Sequence, residues 1–182
     1  MANPEHVENL DILDKLSVCF YRTGITLFGI GIICHAIILL TPYDTPESLH
    51  YLFVFLSVGS ALCAANVHVY SKLVRYAIAW PAWLGIVLFL YDQNMKVSWL
   101  ALGLLFITFS GIALKESFCF KVFGLKFIPV LLAASVLLIF MELWWQVTIL
   151  ELIAGLVLCY LAKEKWKMPL HYDIGDKSRY QI

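Results

Sequence analysis

Apolar runs of near-membrane length, each closed by a short polar break, recur from Phe20 to the last quarter of this 182-residue chain. An α-helix rises 1.5 Å per residue, so about 20 apolar residues cross a hydrocarbon layer of ~30 Å. Inside that layer every backbone N–H and C=O must be satisfied within the segment, which makes helices the solution for runs of this kind. Composition agrees: 62% of residues are hydrophobic and 14% charged, against about 45–50% and 25% in a soluble domain. A chain this short cannot enclose the surplus apolar surface in one core. The sequence therefore reads as all-α, a polytopic membrane helix bundle of about six transmembrane helices.

The runs cover about residues 20–40, 51–70, 74–91, 97–114, 127–141 and 147–162. Thr41-Pro42-Tyr43-Asp44 and Asp92-Gln93-Asn94 are helix-stopping breaks. The last two runs divide at Glu142-Leu143-Trp144-Trp145-Gln146, whose carboxylate, amide and indoles suit an interface turn. A re-entrant or tilted fifth segment is the alternative. Residues 1–16 form a polar N-terminal segment in which Val7, Leu10, Leu13 and Leu16 recur every third position, the spacing of a short amphipathic helix packed on the protein. Its four acids, Glu5, Glu8, Asp11 and Asp14, have the wrong sign for a signal peptide, so the first span is expected to stay as an anchor. Residues 17–163 hold the spans, and 164–182 are a C-terminal tail. Small residues at Ser57, Ala61 and Ala65 and at Gly103 and Gly111 predict that spans two and four are central. Pro81 and Pro129 are expected near the starts of their spans.

Lys and Arg give the orientation. With both termini inside, 12 of the 13 basic residues fall on the inner side and Lys96 alone lies outside. The positive-inside rule then places both termini in the cytoplasm. Net charge is zero, so no basic field points to nucleic acid. Five cysteines at unpaired spacings suggest neither a disulfide framework nor a zinc ribbon.

An ionisable side chain in hydrocarbon is expensive and therefore a candidate for function. Two groups stand out. His35 in span one and Glu151 in span six lie roughly 5–8 Å outward of their helix midpoints by helix rise; they could form a proton or cation station, or a structural pair. At the inner side, Tyr21 and Arg22 open span one, Asn66, His68 and Tyr70 close span two, and Lys115, Glu116 and Cys119 close span four. On continuing helices Glu116 and Cys119 share a face, as do Asn66 and Tyr70. His68, Glu116 and Cys119 have imidazole, carboxylate and thiolate donors of the kind that hold a transition metal, though no HxxxH or CxxC pair supports it. Cys119 is alternatively a thiol activated by Lys115 or Lys121. The bland alternative is interface scaffolding, with Glu116 paired to Arg22 or Arg75. In the tail, Lys163, Lys165 and Lys167 form a juxtamembrane basic patch attractive to anionic lipid. Asp173-Ile174-Gly175-Asp176-Lys177-Ser178 is a compact turn able to fold back on the inner group, with neither phosphate-loop nor EF-hand spacing. The other reading of this tail is disorder.

Tyr21-Arg22-Thr23-Gly24, Val67-His68-Val69-Tyr70, Gly111 with Lys115-Glu116-Ser117-Phe118-Cys119-Phe120, and Asp173 to Ser178 occur in that order. In these segments the chain resembles a bacterial family of uncharacterised integral membrane proteins, domain of unknown function 2301, over about Lys15 to Ser178. Where the family's tail carries two prolines before the Asp-Ile-Gly-Asp segment, this chain has Pro169-Leu170-His171-Tyr172. The resemblance implies a bacterial inner-membrane location and brings no activity, cofactor or catalytic residue. His35 and Glu151 match none of its segments. The leading functional expectation is a small transporter or carrier-like component, self-associating or not, in which His68 and Glu116 contact a cation, proton or small solute. A thiol- or metal-dependent membrane enzyme and a structural or assembly partner are the alternatives. The lipid bilayer is the one partner the composition itself requires.

Overall fold

A computed structural model describes residues 9–41, 45–92 and 94–181. Seven α-helices occur among them: α1 (Ile12–Ile38), α2 (Pro46–Ala65), α3 (Lys72–Tyr91), α4 (Ser98–Ser117), α5 (Ile128–Phe140), α6 (Trp144–Lys167) and the short α7 (His171–Ile174). The chain is an all-α polytopic membrane bundle. Helices α1 to α4 and α6 are long and apolar enough to cross a membrane, while the apolar stretch Leu125–Phe140 that contains α5 is shorter. Its 3-10 turn Leu125–Phe127 and α5 together reach about 24 Å at the rise of an α-helix. Helices α1 to α6 run alternately up and down, each packed on its neighbours in sequence, and α6 closes the ring against α1.

Local chemistry sets the helix ends. Asp11 and Asp14 form a reciprocal capping box, each carboxylate accepting the other's backbone N–H, and this starts α1 at Ile12. Of the polar segment, residues 12–16 are the first turns of α1, and residues 1–8, with Val7 among them, lie outside the described residues. Thr45 caps α2 by accepting the Ser48 N–H at 3.2 Å, with Pro46 in the first turn; Pro42, Tyr43 and Asp44 lie outside the described residues, as does Gln93. The turn between α5 and α6 is a Schellman motif. Leu143 N–H bonds to the Leu138 carbonyl at 2.9 Å and Glu142 N–H to the Ile139 carbonyl at 3.0 Å, with Glu142 itself at φ 59°.

One packing expectation is extended and one changes. Helix α1 is as central as the expected α2 and α4, which pack on each other across the bundle, because Gly24 and Gly29 let neighbouring backbones close in. A Cβ on Gly24 would sit 2.7 Å from the Gly59 carbonyl of α2, and one on Gly155 of α6 would sit 3.0 Å from the Gly29 carbonyl. Of the expected stripes, Ser57 is buried but Ala65 is exposed, and Gly111 faces Ile78 of α3. Pro81 lies in the middle of α3 rather than near its start, since α3 begins at Lys72. Near it the Ile78 carbonyl accepts the buried Thr108 hydroxyl at 2.8 Å, which ties α3 to α4. Pro129 does fall in the first turn of α5.

Ile25, Phe28, Phe109 and Ile112, all fully buried, fill the middle of the bundle. The Phe28 and Phe109 rings stack with centroids 3.4 Å apart. This apolar layer separates a polar group at the end where α1 starts and α6 finishes from another nearer the opposite end.

Candidate functional site

Tyr21 and Arg22 are successive residues on α1, so their side chains leave the helix about 100° apart. Tyr21 points to α4, where its hydroxyl donates to Glu116 Oε1 at 2.8 Å. Arg22 points to the tail. Its Nε donates to Asp173 Oδ2 at 2.7 Å, and its two Nη groups donate to the carbonyls of Met168 at 2.8 Å and Pro169 at 3.1 Å. The guanidinium's planar fork serves all three acceptors at once, which a lysine could not do.

Glu116 is the hub. Lys115 Nζ donates to its Oε1 and Lys165 Nζ to its Oε2, both at 2.9 Å. Lys165 also pairs with Asp173 Oδ1, and Asp173 pairs with Arg22. Charge thus alternates along Lys115, Glu116, Lys165, Asp173 and Arg22. Arg22, Glu116 and Lys165 are at most 2% exposed. The Lys115 and Lys165 ammonium groups lie 4.7 and 5.2 Å from the Tyr21 ring centroid, adding cation–π attraction in a dry setting. Ions this buried persist only when each faces a counter-charge, because an uncompensated one costs several kcal/mol, roughly 3–5.

This network forms one wall of a cavity of about 460 Å³, within the usual range of roughly 300–1,000 Å³ for ligand pockets. His68, Lys115, Cys119, Lys121, Lys165 and Asp173 supply its polar lining, and Phe118, Phe120, Met168 and Tyr172 much of the apolar remainder. Much of the wall is tail, held by specific bonds. The Asp176 N–H donates to the Tyr70 hydroxyl at 3.0 Å, Gln181 N–H to the Tyr70 carbonyl at 2.9 Å, and Tyr180 packs edge-on against Tyr70. Lys177 pairs with Asp14 of α1. Gly175 makes this close approach feasible: at φ 67° a side chain is strained, and a Cβ would lie 2.2 Å from the Tyr70 hydroxyl oxygen.

The structure brings together Tyr21, Arg22, Lys115, Glu116 and Asp173 directly, and His68, Tyr70 and Cys119 around the cavity. Asn66 stays apart. It is the C-cap of α2 and its amide donates back to the Leu62 carbonyl at 2.9 Å. The helical spacing expected for Asn66 and Tyr70 does not hold, because α2 ends at Ala65. Glu116 and Cys119 do not share a face either, because α4 ends at Ser117, leaving Cys119 exposed and Glu116 buried. Asp176 accepts from Ser178 and Arg179 within the tail. His68 shares a 3.2 Å hydrogen bond with Ser17. Burial first, and the Lys115 charge second, push its imidazole down to about 4, so it is neutral at physiological pH.

The His68, Glu116 and Cys119 metal constellation is not assembled, since both Glu116 oxygens turn to ammonium groups. Among the described residues no cluster of three or more His, Cys, Asp or Glu side chains is placed to hold a metal ion. Neither Arg22 nor Arg75 pairs with Glu116; Arg75 donates to the Val69 and Gln181 carbonyls at 3.3 and 3.0 Å. The residue the sequence reading missed is Lys165. Assigned to a lipid-facing patch, it is instead buried between two carboxylates. The signal was present: Glu151, Ala154, Leu158, Leu161 and Lys165 follow one helical stripe, all buried.

Toward the other end, His35 Nδ1 and Glu151 Oε2 lie 2.6 Å apart, bridging α1 and α6. Glu151 Oε1, fully buried, has no hydrogen-bond partner among the described residues. The His35 ring packs edge-on to Phe53.

Fold and site together define an integral membrane helix bundle with a charged, tail-walled pocket at one end. A family profile described as uncharacterized integral membrane protein (DUF2301) matches residues 48–182, well over half of the chain. The chain belongs to this family. It is also 33% identical to an uncharacterized protein of Haemophilus influenzae, over 190 residues and the full length of both chains. The profile match leaves out Tyr21 and Arg22, which the full-length relative's alignment spans. No solved structure matches it.

Proposed function

We propose that this protein is a carrier-like component of the bacterial inner membrane, with six spans and both termini in the cytoplasm, that takes a small solute at its cytoplasmic mouth. The observation that carries this reading is the cavity of about 460 Å³ bordered by the buried Glu116, Lys165 and Asp173 network. Burying five alternating charges is a poor way to gain stability, since apolar replacements often do as well. Intramembrane ionisable groups more often serve a ligand or ion path. The excess of 12 basic residues at this end over Lys96 at the other supports the orientation. The bundle between the two polar groups is closed by Ile25, Phe28, Phe109 and Ile112, so transport requires that layer to part.

The test is accessibility. Ile112→Cys is placed in proteoliposomes and challenged with a membrane-impermeant methanethiosulfonate from each side. A carrier exposes position 112 intermittently, and the rate depends on which side is probed. Full protection from both sides over hours, in protein that still binds a solute at the pocket, would refute transport and leave a binding protein. An assembly role for the Asp173 to Ser178 segment is less favoured, because a partner would have to displace contacts this segment makes with its own bundle.

A further inference from the structure

The cavity wall is asymmetric in what it has left to offer a ligand. Each carboxylate oxygen in it already faces a donor or a cation: Glu116 Oε1 accepts from Tyr21 and Lys115, Glu116 Oε2 from Lys165 and Asp173 Oδ2 from Arg22, while Asp173 Oδ1, with no hydrogen bond among the described residues, is in ion-pair contact with Lys165. The cations are not used up. Lys115 spends its donors on Glu116 at 2.9 Å and, loosely, on Tyr21 at 3.4 Å, and its side chain is 20% exposed. An ammonium group has three N–H donors, so one remains. Lys121, exposed on the same cavity, makes no ion pair among the described residues. Along the lining, Lys115, Lys121 and Lys165 face the two carboxylates of Glu116 and Asp173, leaving one positive charge in excess, and Arg22 lies behind Asp173. A cation entering would find no open carboxylate and would meet like charge.

The rest of the wall is apolar and aromatic. Phe118, 73% exposed, lines the cavity together with Phe120, Met168 and Tyr172. Inorganic phosphate alone would leave this surface wet. We propose that the pocket binds a small amphipathic anion, a carboxylate or phosphate ester carrying an apolar body, with its acid group on Lys115 and Lys121 and its body on the Phe118 to Phe120 side. The inference rests on the reading of this cavity as the solute site and specifies its ligand class. Two sources have this chemistry, a soluble organic acid and the headgroup region of an anionic lipid, and they differ in how they reach the site.

Cys119 reports occupancy, because it is exposed on the same cavity. The full chain in phosphatidylcholine nanodiscs is alkylated with neutral iodoacetamide, and modification at Cys119 is followed by mass spectrometry, with Cys19 and Cys34 as internal references. Phenyl phosphate is expected to slow Cys119 alkylation at least fivefold at saturation, inorganic phosphate less than twofold, and benzylamine not at all. Lys121→Gln and Lys115→Gln should each raise the half-protecting concentration about tenfold. Lys121→Gln alters no ion pair among the described residues and so leaves the fold intact. If phenyl phosphate is inert but nanodiscs containing phosphatidylglycerol slow the reaction in a Lys121-dependent way, the anion is a lipid headgroup and the ligand class stands. Protection by benzylamine or benzyl alcohol equal to that by phenyl phosphate, or protection indifferent to both lysines, overturns the class while leaving a solute pocket in place. No protection by any probe or lipid overturns the class as well. Transport is read separately, by Ile112→Cys accessibility.

Discussion

Lys165→Met is the perturbation that most sharply separates two pictures of the tail. On a lipid-facing basic patch, losing one of three lysines would change folding stability by less than about 0.5 kcal/mol, as for most surface substitutions. In this structure Lys165 Nζ sits 2.9 Å from Glu116 Oε2 and also pairs with Asp173. Removing it leaves two buried carboxylates facing each other, Glu116 with Lys115 and Asp173 with Arg22 as remaining partners. Breaking one buried pair in this manner costs roughly 3–5 kcal/mol. The tail can also detach, letting water reach Asp173, so the lower end of that range is expected. About 3 kcal/mol is a change of more than a hundredfold in the unfolding equilibrium, at about 1.4 kcal/mol per factor of ten. The assay is equilibrium unfolding in mixed micelles titrated with dodecyl sulfate, with Lys163→Met and Lys167→Met as exposed controls. Lys165→Met and Glu116→Gln combined should cost less than the sum of the two, because the double variant removes opposite charges from one pair. A Lys165→Met variant within about 0.5 kcal/mol of Lys163→Met would refute the buried network.

Other outcomes follow from the same geometry. Gly175→Ala should release the tail, read as faster trypsin cleavage at Lys177 and Arg179, and Tyr70→Phe should partly restore protection because it removes the oxygen the new Cβ would strike. His35→Leu leaves Glu151 with neither oxygen bonded and should cost roughly 3–5 kcal/mol, whereas His35→Leu with Glu151→Leu should return close to the parent stability. His68 is held neutral in the fold, so below its unfolded value of about 6.5 the unfolded chain binds a proton the folded chain does not. Stability should therefore fall as pH drops from about 6.5 toward about 4. His68→Gln should flatten that window; an unchanged pH profile in that variant would show that His68 is not the group responsible.

Much of the site was legible because its residues interrupt apolar runs. Tyr21, Arg22, Lys115 and Glu116 stand where a charge is costly, and cost is visible without coordinates. Asp173 could be placed in a turn able to fold back, but nothing local fixes what a turn folds onto. Lys165 was misassigned because its two neighbours in the patch, Lys163 and Lys167, are indeed exposed. Only following the stripe from Glu151 through Leu158 separates it from them. Asn66 and Cys119 were misplaced for one reason: helical spacing was extended past ends that hydrophobicity does not mark. The end of α2 at Ala65 and of α4 at Ser117 comes from cap geometry and packing.

The sequence by itself determined that this chain is an α-helical membrane bundle and which end is basic. Those properties follow from length, hydropathy and charge, which act additively along the chain. Only the tertiary structure decided that Glu116 faces Lys115 and Lys165 rather than an arginine, that Arg22 holds the tail through Asp173, and that the tail walls a cavity. Pairing among buried ions depends on distances of a few ångströms between segments far apart in the chain, as Tyr21 and Glu116 meet across 95 positions and Arg22 and Asp173 across 151. No local pattern encodes that choice; it is fixed by which helix faces the close approaches at Gly24 and Gly155 bring together.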